Sequence, residues 1–203
     1  KKIGREINNV VYMGMGEPMD NIDAVIDSIR VMTEPWGLAW SPRRITVSSI
    51  GRIKELRRLL DTTNVNVAIS VHSPFASERL GLMPVEKAFP LRDVIAMLRE
   101  YDFSHQRRLS VEYIMWRVVN DDMRHADALA RLIRGMHCRV NLIRFHAIPG
   151  VEELQPCGQH VMVAFRDRLN QLGVTATIRA SRGEDIMAAC GMLAGRPKDA
   201  RRS

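Results

Sequence analysis

What most restricts the fold is an alternation repeated down the chain, in which a short run rich in Val, Ile and Tyr gives way to a stretch of helical periodicity. Six such runs read as strands: "NVVYMGM" (9–15), "RITVSS" (44–49), "VNVAISV" (65–71), "LSVEYIM" (109–115), "RVNLIRF" (139–145) and "VTATIRA" (174–180). Between the first two, Ile22, Val25, Ile26, Ile29 and Met32 recur on one face of a helix over about 21–33, with Asp20 or Asn21 placed to cap it. Further helices are expected over about 53–60, 91–101, 123–136 and 161–172. Strands this apolar, each followed by a helix, imply an α/β fold: a parallel sheet under helices, either wound on both faces or closed into a barrel.

No low-complexity linker and no repeat of about 20 to 50 residues divides the chain, so one domain over 1–203 is expected, with "RPKDARRS" (196–203) reading as a disordered basic tail. Thirty Lys and Arg against 23 Asp and Glu leave a net charge of +7. Such a balance suits a polyanionic partner such as nucleic acid, and suits a solvated basic surface equally well. No run approaches the roughly 18 apolar residues of a membrane span, and "KKIGREINNV" lacks the apolar stretch of a secretory signal, so a cytoplasmic chain without a membrane partner is expected. Starting at Lys1 and entering a strand soon afterwards, the chain reads as a fragment.

In a parallel α/β sheet ligands gather where strands finish, at their carboxyl ends. Those ends carry small polar groups here: "GMGEP" at 14–18, Ser48 and Ser49, then Ser70 and His72 in "SVHSP", then His146. Gly14 and Gly16 let backbone approach a ligand, and Glu17 ahead of Pro18 sets a carboxylate suited to an ammonium group at the sheet edge. The same stretch fails as a dinucleotide fingerprint and also reads as a plain tight turn. Ser48, Ser70 and His72 are able to bond a carboxylate and ribose hydroxyls at about 1 kcal/mol net each, or simply to satisfy neighbouring backbone. Glu112 alternates with Val111 and Tyr113, so it faces away from them, and inside a barrel it must be paired or solvated.

The three cysteines, Cys138, Cys157 and Cys190, are an odd number with gaps too wide for a zinc knuckle or a CxxC pair, and no disulfide framework is expected. His137 with Cys138, and His146 with Cys157 and His160, match no common zinc spacing either. Cys190 falls on one apolar helical face with Ile186, Ala189 and Leu193, the setting of a packing cysteine. Gly191 and Gly195 weaken that helix by up to about 1 kcal/mol each.

Taken in order, "VVYMGMGEPMDN", "RRITVSSIG", "VAISVHSP", "VEYIM", "NLIRFHAIPG" and "IRASRGEDIMAACGMLAG" closely resemble the carboxyl-terminal two thirds of the RlmN-type radical S-adenosylmethionine (SAM) methyltransferases, from about Asn9 to Gly195. That resemblance implies a partial (βα)6 radical-SAM-type barrel with outer helices, its first, cluster-bearing strand missing. It implies methylation of C2 of an adenine in 23S rRNA, and in some tRNAs, through a methyl-cysteine intermediate. By position it puts SAM contacts on Gly16, Glu17, Ser48, Ser70, Val71 and His72, and on His146 where many members carry Asn. The methyl carrier falls on Cys190, which turns a packing cysteine into a nucleophile with Gly191 and Gly195 as hinges.

A [4Fe-4S] cluster and its electron donor also come with the resemblance. The family's CxxxCxxC motif, its RNA-binding amino-terminal region, its resolving cysteine and its acidic base have no match in this sequence. Cys138 and Cys157 match no catalytic position. The expectation is therefore a chain that alone binds no cluster and methylates nothing. A C8-directed relative, another radical SAM enzyme, or a non-catalytic RNA-binding module are the competing readings.

Overall fold

A computed structural model describes residues 7–146 and 153–179. Its six strands are β1 (Val10–Tyr12), β2 (Ile45–Ser49), β3 (Asn66–Ser70), β4 (Leu109–Met115), β5 (Cys138–Arg144) and β6 (Thr175–Arg179). All pair in parallel and stand in the sheet in the same order as in the chain. A strand followed by a crossover to its parallel neighbour is almost always right-handed, so a strictly sequential order sends every crossover to one face. The doubly wound alternative requires the order to reverse, and it does not.

The helices are α1 (Ile22–Thr33), α2 (Ile53–Thr62), α3 (Ala76–Leu82), α4 (Leu91–Leu98), α5 (Met123–Leu132) and α6 (Gln159–Gln171). Helix α1 buries Ile22, Val25, Ile26 and Ile29, while Asn21 makes no side-chain cap bond. The cap expected there forms one turn earlier, where the Glu17 carboxylate accepts from the Met19 amide at the head of a 3-10 turn, Pro18–Asn21. Under the helices lie Ile45 and Val47 of β2, Val67 and Ile69 of β3, and Leu109, Val111 and Tyr113 of β4, each 2% exposed or less. Each buried aliphatic side chain of this kind contributes about 1.5–3 kcal/mol.

Period-two alternation sends the intervening residues to the other, concave face: Thr46, Ser48, Asn66, Ser70, Ser110, Glu112, Asn141 and Thr177. Parallel strands buried on both faces are apolar throughout, so this polar lining marks a face that serves a ligand. The sheet is curled: beyond β1, Met13 Sδ comes within 3.6 Å of Arg179 Nη1 at the end of β6.

Just behind the carboxyl ends of the central strands lies a guanidinium with no exposure, Arg79 of α3. Its Nε donates to the Val71 carbonyl at 3.1 Å, and its Nη2 to Ser70 and Ile50 at 3.1 and 3.3 Å. Its Nη1 pairs with Glu86, whose carboxylate accepts the first amide of α4, Leu91, at 3.0 Å. One buried pair thus ties the ends of β2 and β3 to the start of α4. Close approach completes the junction: Gly51 has φ +105°, and a Cβ there would sit 2.7 Å from Val94 Cγ2.

Among the described residues no helix is long and apolar enough to cross a membrane. The helix expected near Cys190 and the tail at 196–203 lie outside the described residues.

Replacing Arg79 by Met strands Glu86 and three carbonyls and is expected to cost about 3–5 kcal/mol in urea unfolding. Lys at this position keeps the charge but loses the fork, and should fall between the two. A Met variant with the wild-type midpoint would remove Arg79 from this role.

Candidate functional site

The strand ends meet at a cavity of about 170 Å³ lined by Tyr12, Met13, Gly14, Gly16, Glu17, Pro18, Ser48, Ile50, Ser70, His72, Glu112, Ile114, Ile143 and Arg179. Gly16, at φ +87°, takes a backbone conformation closed to most side chains and turns the chain so that Glu17 reaches the cavity. The Glu17 carboxylate accepts from the Ile50 amide at 3.0 Å, across to the chain leaving β2. Burial raises its pKa, and the Ile50 amide acts in the opposite sense. Ser48 of β2 and Ser70 at the end of β3 face the same space.

His72 is held in an uncommon state. Its φ of +59° is left-handed, which costs a non-glycine residue on the order of 1–2 kcal/mol. Three contacts hold it there. The Ile114 amide donates to Nδ1 at 3.1 Å, Asn120 Nδ2 donates to the His72 carbonyl at 2.6 Å, and the Trp116 ring stands edge-on at 5.7 Å. Asn120, fully buried, also donates to the Ile114 carbonyl and accepts from the Trp116 amide. With Nδ1 accepting, the ring proton belongs on Nε2. Burial, helped by the Arg79 charge, pushes the His72 pKa down to about 3, so at neutral pH the ring is an uncharged donor.

Glu112 does lie inward, 4% exposed. Its Oε1 accepts from Asn141 Nδ2 at 2.7 Å and from the Ser110 hydroxyl at 2.9 Å, and its Oε2 lies 3.6 Å from Arg179 Nη1.

Of the residues singled out in the sequence, Gly16, Glu17, Ser48, Ser70 and His72 line this one cavity. Val71 does not: it follows β3 with its side chain fully buried in the core, its amide given to Glu112 and its carbonyl to Arg79. His146, half-buried beyond β5, is not among the lining residues. Cys190 lies outside the described residues. Arg79 and Asn120 were missed, because each acts on backbone groups distant in sequence and leaves no local pattern. Arg179 had a signal, as the last inward residue of an alternating strand.

Cys138 is half-buried and Cys157 buried, and burial pushes both thiols up to about 11, leaving them protonated and unreactive. Among the described residues no group of three or more His, Cys, Asp or Glu side chains is placed to hold a metal ion.

Parallel strands in sequential order, helices outside and a polar rim at the carboxyl ends define a partial barrel of the radical SAM kind. The crystal structure of a radical SAM methyltransferase from Sphaerobacter thermophilus superposes with a TM-score of 0.88 at 38% identity, over 93% of this chain and 55% of that one. A domain of pyruvate-formate lyase-activating enzyme from Bacteroides vulgatus, 15% identical with a TM-score of 0.65, shares the fold over 85% of this chain and 99% of that one. No family model matches the chain.

The sequence comparison is more specific. A protein of Parabacteroides distasonis named probable dual-specificity RNA methyltransferase RlmN is 58% identical over 92% of this chain, and the RlmN of Syntrophobacter fumaroxidans is 43% identical over 92%. The chain is RlmN-type over the stretch it shares with them. It spans 54% of the length of these relatives, about half rather than two thirds.

Because His72 is neutral when folded and titrates near 6.5 when unfolded, the unfolded state binds the extra proton below that value. Stability is therefore expected to fall from pH 7 to pH 5, by up to about 1.4 kcal/mol per unit from this group, before carboxylates titrate. His72→Gln should remove that slope in urea melts at pH 7, 6 and 5. Identical slopes in the two proteins would contradict the neutral assignment.

Proposed function

We propose that this chain is the cofactor-holding part of a radical SAM RNA methyltransferase that acts on C2 of adenine in 23S rRNA, and in tRNA, with Cys190 as the methyl carrier. The reading is carried by the convergence of Glu17, Ser48, Ser70 and His72 on one cavity at the strand ends, and supported by relatives named RlmN. The donor set suits SAM: an acceptor carboxylate for its ammonium, and hydroxyls together with an uncharged imidazole for its carboxylate and ribose. When bound, SAM supplies the methyl group and, with a reduced [4Fe-4S] cluster, the radical chemistry that an electron-poor ring carbon demands.

Glu17 binds the ammonium and, anchored on Ile50, fixes the amino-acid end. Ser48 and Ser70 orient the rest by donating or accepting single hydrogen bonds. His72 offers Nε2–H without introducing a positive charge beside a sulfonium. Ile114 and Ile143 exclude water from the inner wall.

Cluster ligation does not fit the described residues, whose two cysteines stand apart as protonated thiols. The cluster's ligands, an electron donor and the RNA complete the system.

Titrating the chain with S-adenosylhomocysteine in a calorimeter tests the reading. Binding is expected, and Glu17→Gln should weaken it roughly ten- to a hundredfold, the range of a hydrogen bond to a charged group. No binding, or equal binding by the variant, would overturn the assignment.

Iron and sulfide analysis after anaerobic reconstitution is expected to find no stoichiometric cluster on the chain alone, which should then leave RNA unmethylated. A cluster at one per chain would reverse this.

A further inference from the structure

Beside the rim cavity lies another, of about 250 Å³, lined by Thr46, Asn66, Arg108, Ser110 and Arg139 from the starts of β2 to β5 and sharing Met13, Glu112 and Arg179 with the first. Its wall is cationic. Arg108, Arg139 and Arg179 line it, against a single carboxylate, Glu112, which is already engaged by Asn141, Ser110 and Arg179.

Several arginines elsewhere are held by acids, Arg57 by Glu100, Arg58 by Asp23, Arg124 by Glu78 and Arg168 by Asp127, and others by carbonyls, as Arg43 and Arg99 are. Arg108 and Arg139 differ. Both are exposed, and among the described residues neither guanidinium makes a hydrogen bond or an ion pair. Ser110 pairs with Arg139 in the β4–β5 ladder, so Arg108 and Arg139 project from one face of neighbouring strands, their Cα atoms roughly 8 Å apart by strand geometry. Two unpaired guanidiniums converging on one space repel each other, and an anion with two free oxygens relieves that repulsion by accepting from both forks.

We propose that Arg108 and Arg139 form a phosphodiester site at the amino-terminal mouth of the half barrel, which grips the backbone of the RNA strand whose base reaches the rim. The inference rests on the proposed function for the identity of the polyanion and deepens it by naming where the strand is held. The Arg139 level lies about 13 Å along the strands from the Ile114 level, and the two cavities adjoin at Met13, Glu112 and Arg179, which line both, with the unpaired arginines on one side and the rim on the other. Strand-level contacts of this kind position an RNA and do not read its bases.

Fluorescence anisotropy of a labelled single-stranded oligoribonucleotide, titrated with the chain at several salt concentrations, tests the site. Two phosphate contacts contribute about 1.4 to the slope of log K against log salt. Arg108→Gln with Arg139→Gln should lower the slope by about that amount and weaken binding at low salt about tenfold or more. Circular dichroism should be unchanged, since neither side chain makes a bond within the fold.

A matched control, Arg131→Gln with Arg134→Gln, lowers the charge equally outside this cavity and should leave the slope as it was. Equal losses in both variants, an unchanged slope in the first, or competition by polyglutamate as effective as that by RNA would each overturn the proposal. S-adenosylhomocysteine titrations on the same proteins separate the two readings. A chain that binds the cofactor analogue but shows no salt-dependent RNA binding disproves the phosphate site alone.

Discussion

The organisation of the site depends on a charge placed where water does not reach. A guanidinium buried without partners would be ruinous, and Arg79 is tolerated because each of its nitrogens is used: three carbonyls released from the ends of β2 and β3, and the Glu86 carboxylate. Strand ends are where the ladder stops satisfying the backbone, and here a side chain takes over. The Ser70 and Val71 carbonyls are therefore held beyond the point where the sheet's own ladder ends.

That firmness is what allows His72 to remain left-handed. Its backbone would relax if the loop were free, but Asn120 bonds its carbonyl, the Ile114 amide bonds its ring, and Arg79 holds the preceding peptides. The charge that fixes the loop also lowers the affinity of the imidazole for a proton. Structure and electrostatics thus act in one direction, presenting a neutral donor to the cavity that is also lined by a carboxylate whose own pKa is raised by burial.

Much of this could be read in advance. Strand β4 occupies the span its alternation marks, because one face is packed under helices and the other faces polar neighbours, so every second residue is constrained. Strand β1 is shorter than its apolar run, since the glycines beyond Tyr12 break the ladder. Helix α3 went unseen: its only buried residue is an arginine, so no apolar stripe betrays it. At the site, Glu17, Ser48, Ser70 and His72 were visible because strand ends are identifiable from the pattern alone. The supports behind them were not, because Arg79 and Asn120 act on carbonyls and amides, which look alike in every sequence. Val71 shows the limit of position as a guide: it is adjacent to His72, yet it points into the core.

The sequential order of the strands also bears on how the protein assembles. Each ladder joins immediate chain neighbours, so a closure spans one helix and its links, or two between β3 and β4, and its entropic cost depends only weakly on the length of that link. No strand has to wait for a distant one before it docks. The sheet is able to grow from any adjacent pair by adding one unit at a time, in the manner of a short linear array. Disorder in one unit is then confined to the neighbours it touches.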